Sequence, residues 1–189
     1  TLLRIVQGGS LSIDGLSLLG NQNGKVDHAI AADGNKMSQA YKIFINNSLF
    51  GGFSNAVIKG GKGTFADTVL IKNSVIKNSG SGLSYDEEVE DKGIYEAEYV
   101  ILQNTVFDKL SENAVDLYRG GTDESTFGPF LEINHCVFNG IGANSADTIL
   151  RLTGVQHVTI ANSIFSNSPA AVAVNLNGKY NAIANSNIY

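Results

Sequence analysis

Apolar and polar residues alternate along this chain in short bursts, and one burst recurs. Seven segments share a pattern: apolar, any, apolar, any, a turn-forming residue (Asn in most copies), a small polar residue, then a mostly apolar pair. They are Leu11–Leu18, Ile43–Phe50, Val69–Ile76, Val100–Phe107, Leu131–Phe138, Val158–Phe165 and Asn181–Ile188. The fifth position forms a column of Gly15, Asn47, Asn73, Asn104, His135, Asn162 and Asn185, with spacings of 32, 26, 31, 31, 27 and 23 residues.

Period-two alternation predicts β-strands and not helices. Further apolar stretches follow several copies: Ala56–Ile58, Ala114–Val115, Thr148–Leu150 and Ala171–Val174. Several short strands per repeat describe the coils of a solenoid. The reading is an all-β fold, a single-stranded right-handed parallel β-helix of about seven coils, forming one domain over residues 1–189. The hand follows from the general chirality of parallel crossovers. Like residues then stack on like inside: Ile13, Ile45, Ile71, Leu102, Ile133, Ile160 and Ile183 in one ladder. Leu18, Phe50, Ile76, Phe107, Phe138, Phe165 and Ile188 form another. A β-sandwich also uses short strands, but it does not require Ile or Leu at one column seven times.

Insertions at Asn21–Ala40, Asp86–Ala97, Arg119–Pro129 and Gly140–Asp147 are expected as surface loops. Neither end carries an amphipathic capping helix, although terminal repeats of solenoids need polar caps. The expectation is a segment of a longer β-helical protein.

Composition narrows the function classes. Charged residues are only 16%, hydrophobic residues 43%, and Gly numbers 21. That much apolar surface argues against disorder. No window reaches the roughly 18 apolar residues of a spanning helix, so no membrane role is expected. A net charge of −5 argues against nucleic acid as a partner and counts mildly against a polyanionic one. Cys136 is the one cysteine, so no intramolecular disulfide or multi-cysteine metal site forms.

Several positions invite a functional reading. The Asn column is expected to be structural, its amides bonding along the rod at a turn. His135 reads as a turn residue in that column, and Cys136 as a small filler. The acidic run Asp86, Glu87 and Glu88 could offer oxygens to calcium, although it lacks the spacing of a known calcium loop. The loop after Tyr118 holds Arg119, Asp123 and Glu124, which either stabilise the loop among themselves or contact a substrate.

The stretch Val115-Asp-Leu-Tyr-Arg-Gly-Gly-Thr-Asp-Glu-Ser-Thr-Phe-Gly-Pro-Phe-Leu131, followed by Ile133-Asn-His-Cys-Val-Phe138, resembles the second β-helical domain of two-domain alginate lyases. These belong to polysaccharide lyase family 6, relatives of chondroitinase B, and Asp91-Lys-Gly-Ile-Tyr95 upstream fits the same domain. The resemblance implies a secreted or periplasmic parent whose separate catalytic β-helix domain cleaves acidic polysaccharide by β-elimination. There a Lys removes the C5 proton, an Arg assists, and calcium often neutralises the uronate carboxylate. This chain then needs no cofactor of its own. Its partners are the catalytic domain of the same protein, an acidic polysaccharide, or a second copy in a homodimer.

Aligning the stretches that follow each motif gives the column Ala32, Lys59, Tyr85, Leu117, Arg151 and Val174. Lys59 and Arg151 are its only basic pair, three coils or roughly 14 Å apart. A general base and its helper must both reach one sugar, so that spacing argues against catalysis. The Arg-His signature associated with the catalytic domain is also missing, because Leu152 follows Arg151. The leading expectation is an accessory, non-catalytic domain with Lys59, Arg151, Arg119, Asp123 and Glu124 as substrate-contacting candidates. The alternatives are a glycosidase built on paired acids among Asp86, Glu87, Asp123 and Glu124, and a passive surface module.

Overall fold

The computed structural model describes residues 1–21, 26–33, 37–87, 94–120, 128–143, 148–155, 157–170 and 172–177. Within them the chain winds through three parallel sheets, visiting each face once per coil. The first face holds seven strands: Leu3–Ile5, Ile30–Ala32, Ile58–Lys59, Leu83–Tyr85, Val115–Tyr118, Thr148–Thr153 and Val172–Asn177. The second holds six, from Gly9–Asp14 through Tyr41–Asn46, Ala66–Lys72, Ala97–Gln103 and Phe130–Asn134 to His157–Ala161. The third also holds six, from Ser17–Leu19 through Leu49–Gly51, Val75–Ser79, Val106–Leu110 and Val137–Asn139 to Ile164–Ser166. The parallel β-helix is therefore present, but the expected count is slightly high. The described residues make six complete coils and one further strand; the seventh motif copy, Asn181–Ile188, lies outside them.

Each motif copy folds as a second-face strand, a corner and a third-face strand. The predicted ladders stand in register: Ile13, Ile45, Ile71, Leu102, Ile133 and Ile160 pair strand by strand, each at most 4% exposed. On the third face Leu18, Phe50, Ile76, Phe107, Phe138 and Phe165 do the same. Phe107 and Phe138 stack with ring centroids 5.0 Å apart, and Phe138 and Phe165 at 4.8 Å. Identical spacing of rings and strands is why aromatic residues suit a ladder position.

The corner explains the Asn column. Gly15, Asn47, Asn73, Asn104, His135 and Asn162 all have φ between 47° and 68°, a left-handed conformation that Gly and Asn tolerate best. The amides then bond along the rod: Asn104 Nδ2 donates to Asn73 Oδ1 at 2.8 Å, and Asn73 Nδ2 to Asn46 Oδ1 at 2.9 Å. His135 occupies the same backbone position with φ 54°. Conformation and hydrogen bonding can be separated by substitution. Asn104→Gly keeps the backbone preference, whereas Asn104→Ala loses both, so urea denaturation should show the alanine variant less stable by about 1 kcal/mol. Equal stability of the two would assign the column to its amides alone.

Candidate polar cleft on the first face

Outward positions of the first face form a register of Arg4, Ala31, Lys59, Ser84, Asp116, Arg151 and Asn175. The expected column therefore needs correction. Ala32, Tyr85 and Leu117 sit one residue further along their strands and point inward, at most 6% exposed. Val174 pairs with Leu150 and not with Arg151. Because side chains alternate at period two, a one-residue slip exchanges the two faces of a strand. Ser84 and Asp116 thus occupy the places given to Tyr85 and Leu117.

This register separates the Lys59 and Arg151 strands by two others, as expected, yet the side chains converge. Asp86, just past the strand Leu83–Tyr85, takes Lys59 Nζ on Oδ1 at 2.7 Å and Arg151 Nη2 on Oδ2 at 3.3 Å. Arg151 Nη2 also bonds Asp116 Oδ2, and Lys59 Nζ lies 3.2 Å from Glu87 Oε1. Ser84 Oγ donates to Asp86 Oδ1 at 2.6 Å and accepts from Lys59 at 2.9 Å. The argument from distance alone is overturned, since one carboxylate gathers both cationic heads.

The electrostatics follow from these partners. Burial works to depress Lys59, but the hydrogen bond and charge of Asp86, aided by Glu87, outweigh it and hold the ammonium above its ordinary range. Burial likewise works to raise Asp86, and Lys59, Ser84 and Arg151 together bring it below the ordinary carboxylate value. Asp116 is pushed up to about 6 by burial, only partly offset by Arg151. Around these groups lies a cleft of about 340 Å³, walled also by Ser81, Glu112, Asn113 and Asn175. Asn113 Nδ2 donates to the Thr148 carbonyl at 2.7 Å, and Ser81 Oγ to Glu112 Oε2 at 3.0 Å.

Of the other expected site residues, Arg119 stands apart from the cleft. Arg119 is 4% exposed, pairs through its backbone with Tyr95, and holds its guanidinium 5.7 Å from the Tyr95 ring centroid. It does not line the cleft. Glu88, Asp123 and Glu124 lie outside the described residues. Among the described residues no group of three His, Cys, Asp or Glu is placed to hold a metal ion, and Asp86 and Glu87 are engaged with Lys59.

One feature of this region was invisible as a motif. Glu96, 1% exposed, lies beside Tyr85 and below Gly60, where an added Cβ would meet both. Its Oε2 accepts from the Glu87 amide at 3.3 Å, and the hydroxyls of Tyr41, Thr64 and Tyr85 cluster in the same buried region. Burial pushes Glu96 up to about 8 and the Tyr41 phenol to about 12. A folded pKa above the unfolded 4.5 means that stability is complete below pH 4.5 and falls as pH rises towards 8. The loss is on the order of 5 kcal/mol. Glu96→Gln should flatten thermal stability across that window and melt higher than the parent chain at pH 9. Parallel pH profiles of the two proteins would contradict a neutral, buried Glu96.

No protein-family model and no curated protein matches the sequence. Solved structures do match. One titled as the structure of PL6 family alginate lyase AlyGC superimposes with a TM-score of 0.72 and 22% identity, over 93% of this chain and 30% of that one. A mutant of the same lyase gives 0.70 and 20%, over 93% and 32%. The chain thus spans about a third of the length of the chains it matches. At such identity the likeness is one of fold: over nearly its whole length, this parallel β-helix is built like a stretch of a PL6 family alginate lyase.

Proposed function

We propose that this chain is an accessory β-helix domain of a secreted alginate-type polysaccharide lyase. It stands beside a β-eliminating catalytic β-helix domain of the same protein and does not itself abstract a proton. The observation that carries this reading is the state of Lys59. A base that removes a proton α to a carboxylate must first be unprotonated. Lys59 lies 2.7 Å from Asp86 and 3.2 Å from Glu87, which favour the ammonium. Arg151, which would have to stabilise the developing charge, is bonded to Asp116 and Asp86. Further support comes from the similarity of fold to a PL6 family alginate lyase. Calcium, where the parent enzyme uses it, belongs with the catalytic domain in this reading.

The test is direct. The purified chain, given polymannuronate or polyguluronate with calcium present, should produce no rise in the ultraviolet absorbance of unsaturated uronate ends. The same chain joined to its catalytic domain should produce one. Turnover by the isolated chain that is lost in Lys59→Ala would refute the accessory role.

A further inference from the structure

We propose that the cleft on the first face is a binding site for an uncharged, hydroxyl-rich oligosaccharide. The proposal rests on the reading of this chain as an accessory domain, and it specifies what such a domain would hold. The cleft crosses five neighbouring strands, from the one bearing Lys59 to the one bearing Asn175. Four strand spacings give a run of about 19 Å along the rod. Its volume of about 340 Å³ falls within the range of clefts that hold small ligands.

The chemistry of the walls narrows the ligand class. Every described residue that lines the cleft carries a polar side chain, so an apolar molecule finds little surface to bury against. Ser84, Asn113 and Asp116 are each no more than 8% exposed, unusual for polar side chains. Asn113 and Asp116 are fixed by hydrogen bonds to Thr148 and Arg151. A site whose side chains are already ordered loses little further freedom on binding.

Charge then separates neutral from acidic sugars. The cations Lys59 and Arg151 face Asp86, Asp116 and Glu112 across the same cleft, and each is already paired with a carboxylate. A uronate would have to displace Asp86 or Asp116 and then lie beside the remaining carboxylates, a like-charge arrangement that disfavours it. Phosphate-bearing chains meet the same barrier. Neutral hydroxyls meet none: they can donate to spare lone pairs of Asp86 and Asp116 and accept from the Asn175 amide.

Isothermal titration of the purified chain tests this. Uncharged cello-, xylo- and manno-pentaose would be compared with mannuronate and guluronate pentamers at low and physiological salt. At least one uncharged pentaose should bind, with an affinity that changes less than about twofold between the two salt levels. The uronate pentamers should bind at least about tenfold more weakly. Asp116→Asn should weaken binding by about tenfold. Asn175→Ala, an exposed rim change that leaves the fold intact by circular dichroism, should weaken it by several-fold. Uronates binding as tightly as the neutral sugars, no uncharged pentaose binding, or indifference to both substitutions would each overturn the proposal. Elimination activity in the earlier assay would sink the accessory reading without altering this result.

Discussion

Phe138→Ala is expected to destabilise the chain by about 3–5 kcal/mol, read from urea denaturation followed by far-ultraviolet circular dichroism. Phe138 is fully buried and stacks between Phe107 and Phe165, with ring centroids 5.0 and 4.8 Å away. Truncation removes the ring's own burial and also uncovers one face of each neighbour, in a column that cannot collapse without shortening the strand spacing. Each coil of a solenoid rests only on the coils beside it. The defect should therefore also increase amide exchange in the strands Val106–Leu110 and Ile164–Ser166 more than in Leu49–Gly51, two coils further away. Phe138→Leu, which keeps most of the volume, should cost much less. A loss below about 1 kcal/mol for the alanine variant would mean that the ring column is not continuous.

Gly154→Ala is expected to be comparably severe for a different reason. Gly154 has φ 72°, and an added Cβ would press on the carbonyl oxygen and carbon of Arg119 and on its side chain. Its amide also donates to the Asn177 carbonyl at 2.7 Å, so the residue cannot move without giving up a bond to the next coil. The left-handed conformation costs a non-glycine residue about 1–2 kcal/mol. Overpacking against backbone, which no rotamer change relieves, adds about 1–3 kcal/mol. A combined loss of about 2–5 kcal/mol in the same denaturation assay is the expected outcome. Gly15→Ala is the control, because its φ of 68° is nearly the same and nothing lies within contact distance of its missing Cβ. If the two substitutions cost the same, the conformation alone accounts for the loss, and Gly154 holds no close approach between coils.

These effects differ in how far they could be anticipated. Phe138 was legible as a core residue because the motif repeats it in register with Phe107 and Phe165. Gly154 was not, because nothing near it announces that the Arg119 backbone, 35 residues earlier, passes directly over it. The corner column was half legible: recurrence marked Asn47, Asn73 and Asn104 as one position. Their shared positive φ supplied the reason, and it also accounts for Gly15. A second corner, with Asn78, Lys109, Gly140 and Asn167 at positive φ, escaped notice because its residue types differ from coil to coil.

The cleft shows the same division. Lys59 and Arg151 were picked out, and their separation along the rod was placed correctly. What failed was the alignment of short first-face strands, which lack a recurring marker residue, so Tyr85 and Leu117 stood where Ser84 and Asp116 belong. The convergence on Asp86 lay further out of reach. Asp86 and Arg151 are 65 residues apart and meet just past the end of the strand Leu83–Tyr85. Glu96 was equally hidden, since an isolated acidic residue carries no sign that its carboxyl will be buried against tyrosines.

Strand identity, the inward columns and the solenoid itself could be read from residue order, because alternation and recurrence are local and every coil repeats them. The joining of Lys59, Asp86, Asp116 and Arg151 into one cleft came only from the folded chain. Side-chain encounters between coils depend on where each irregular turn ends, and long-range packing decides that.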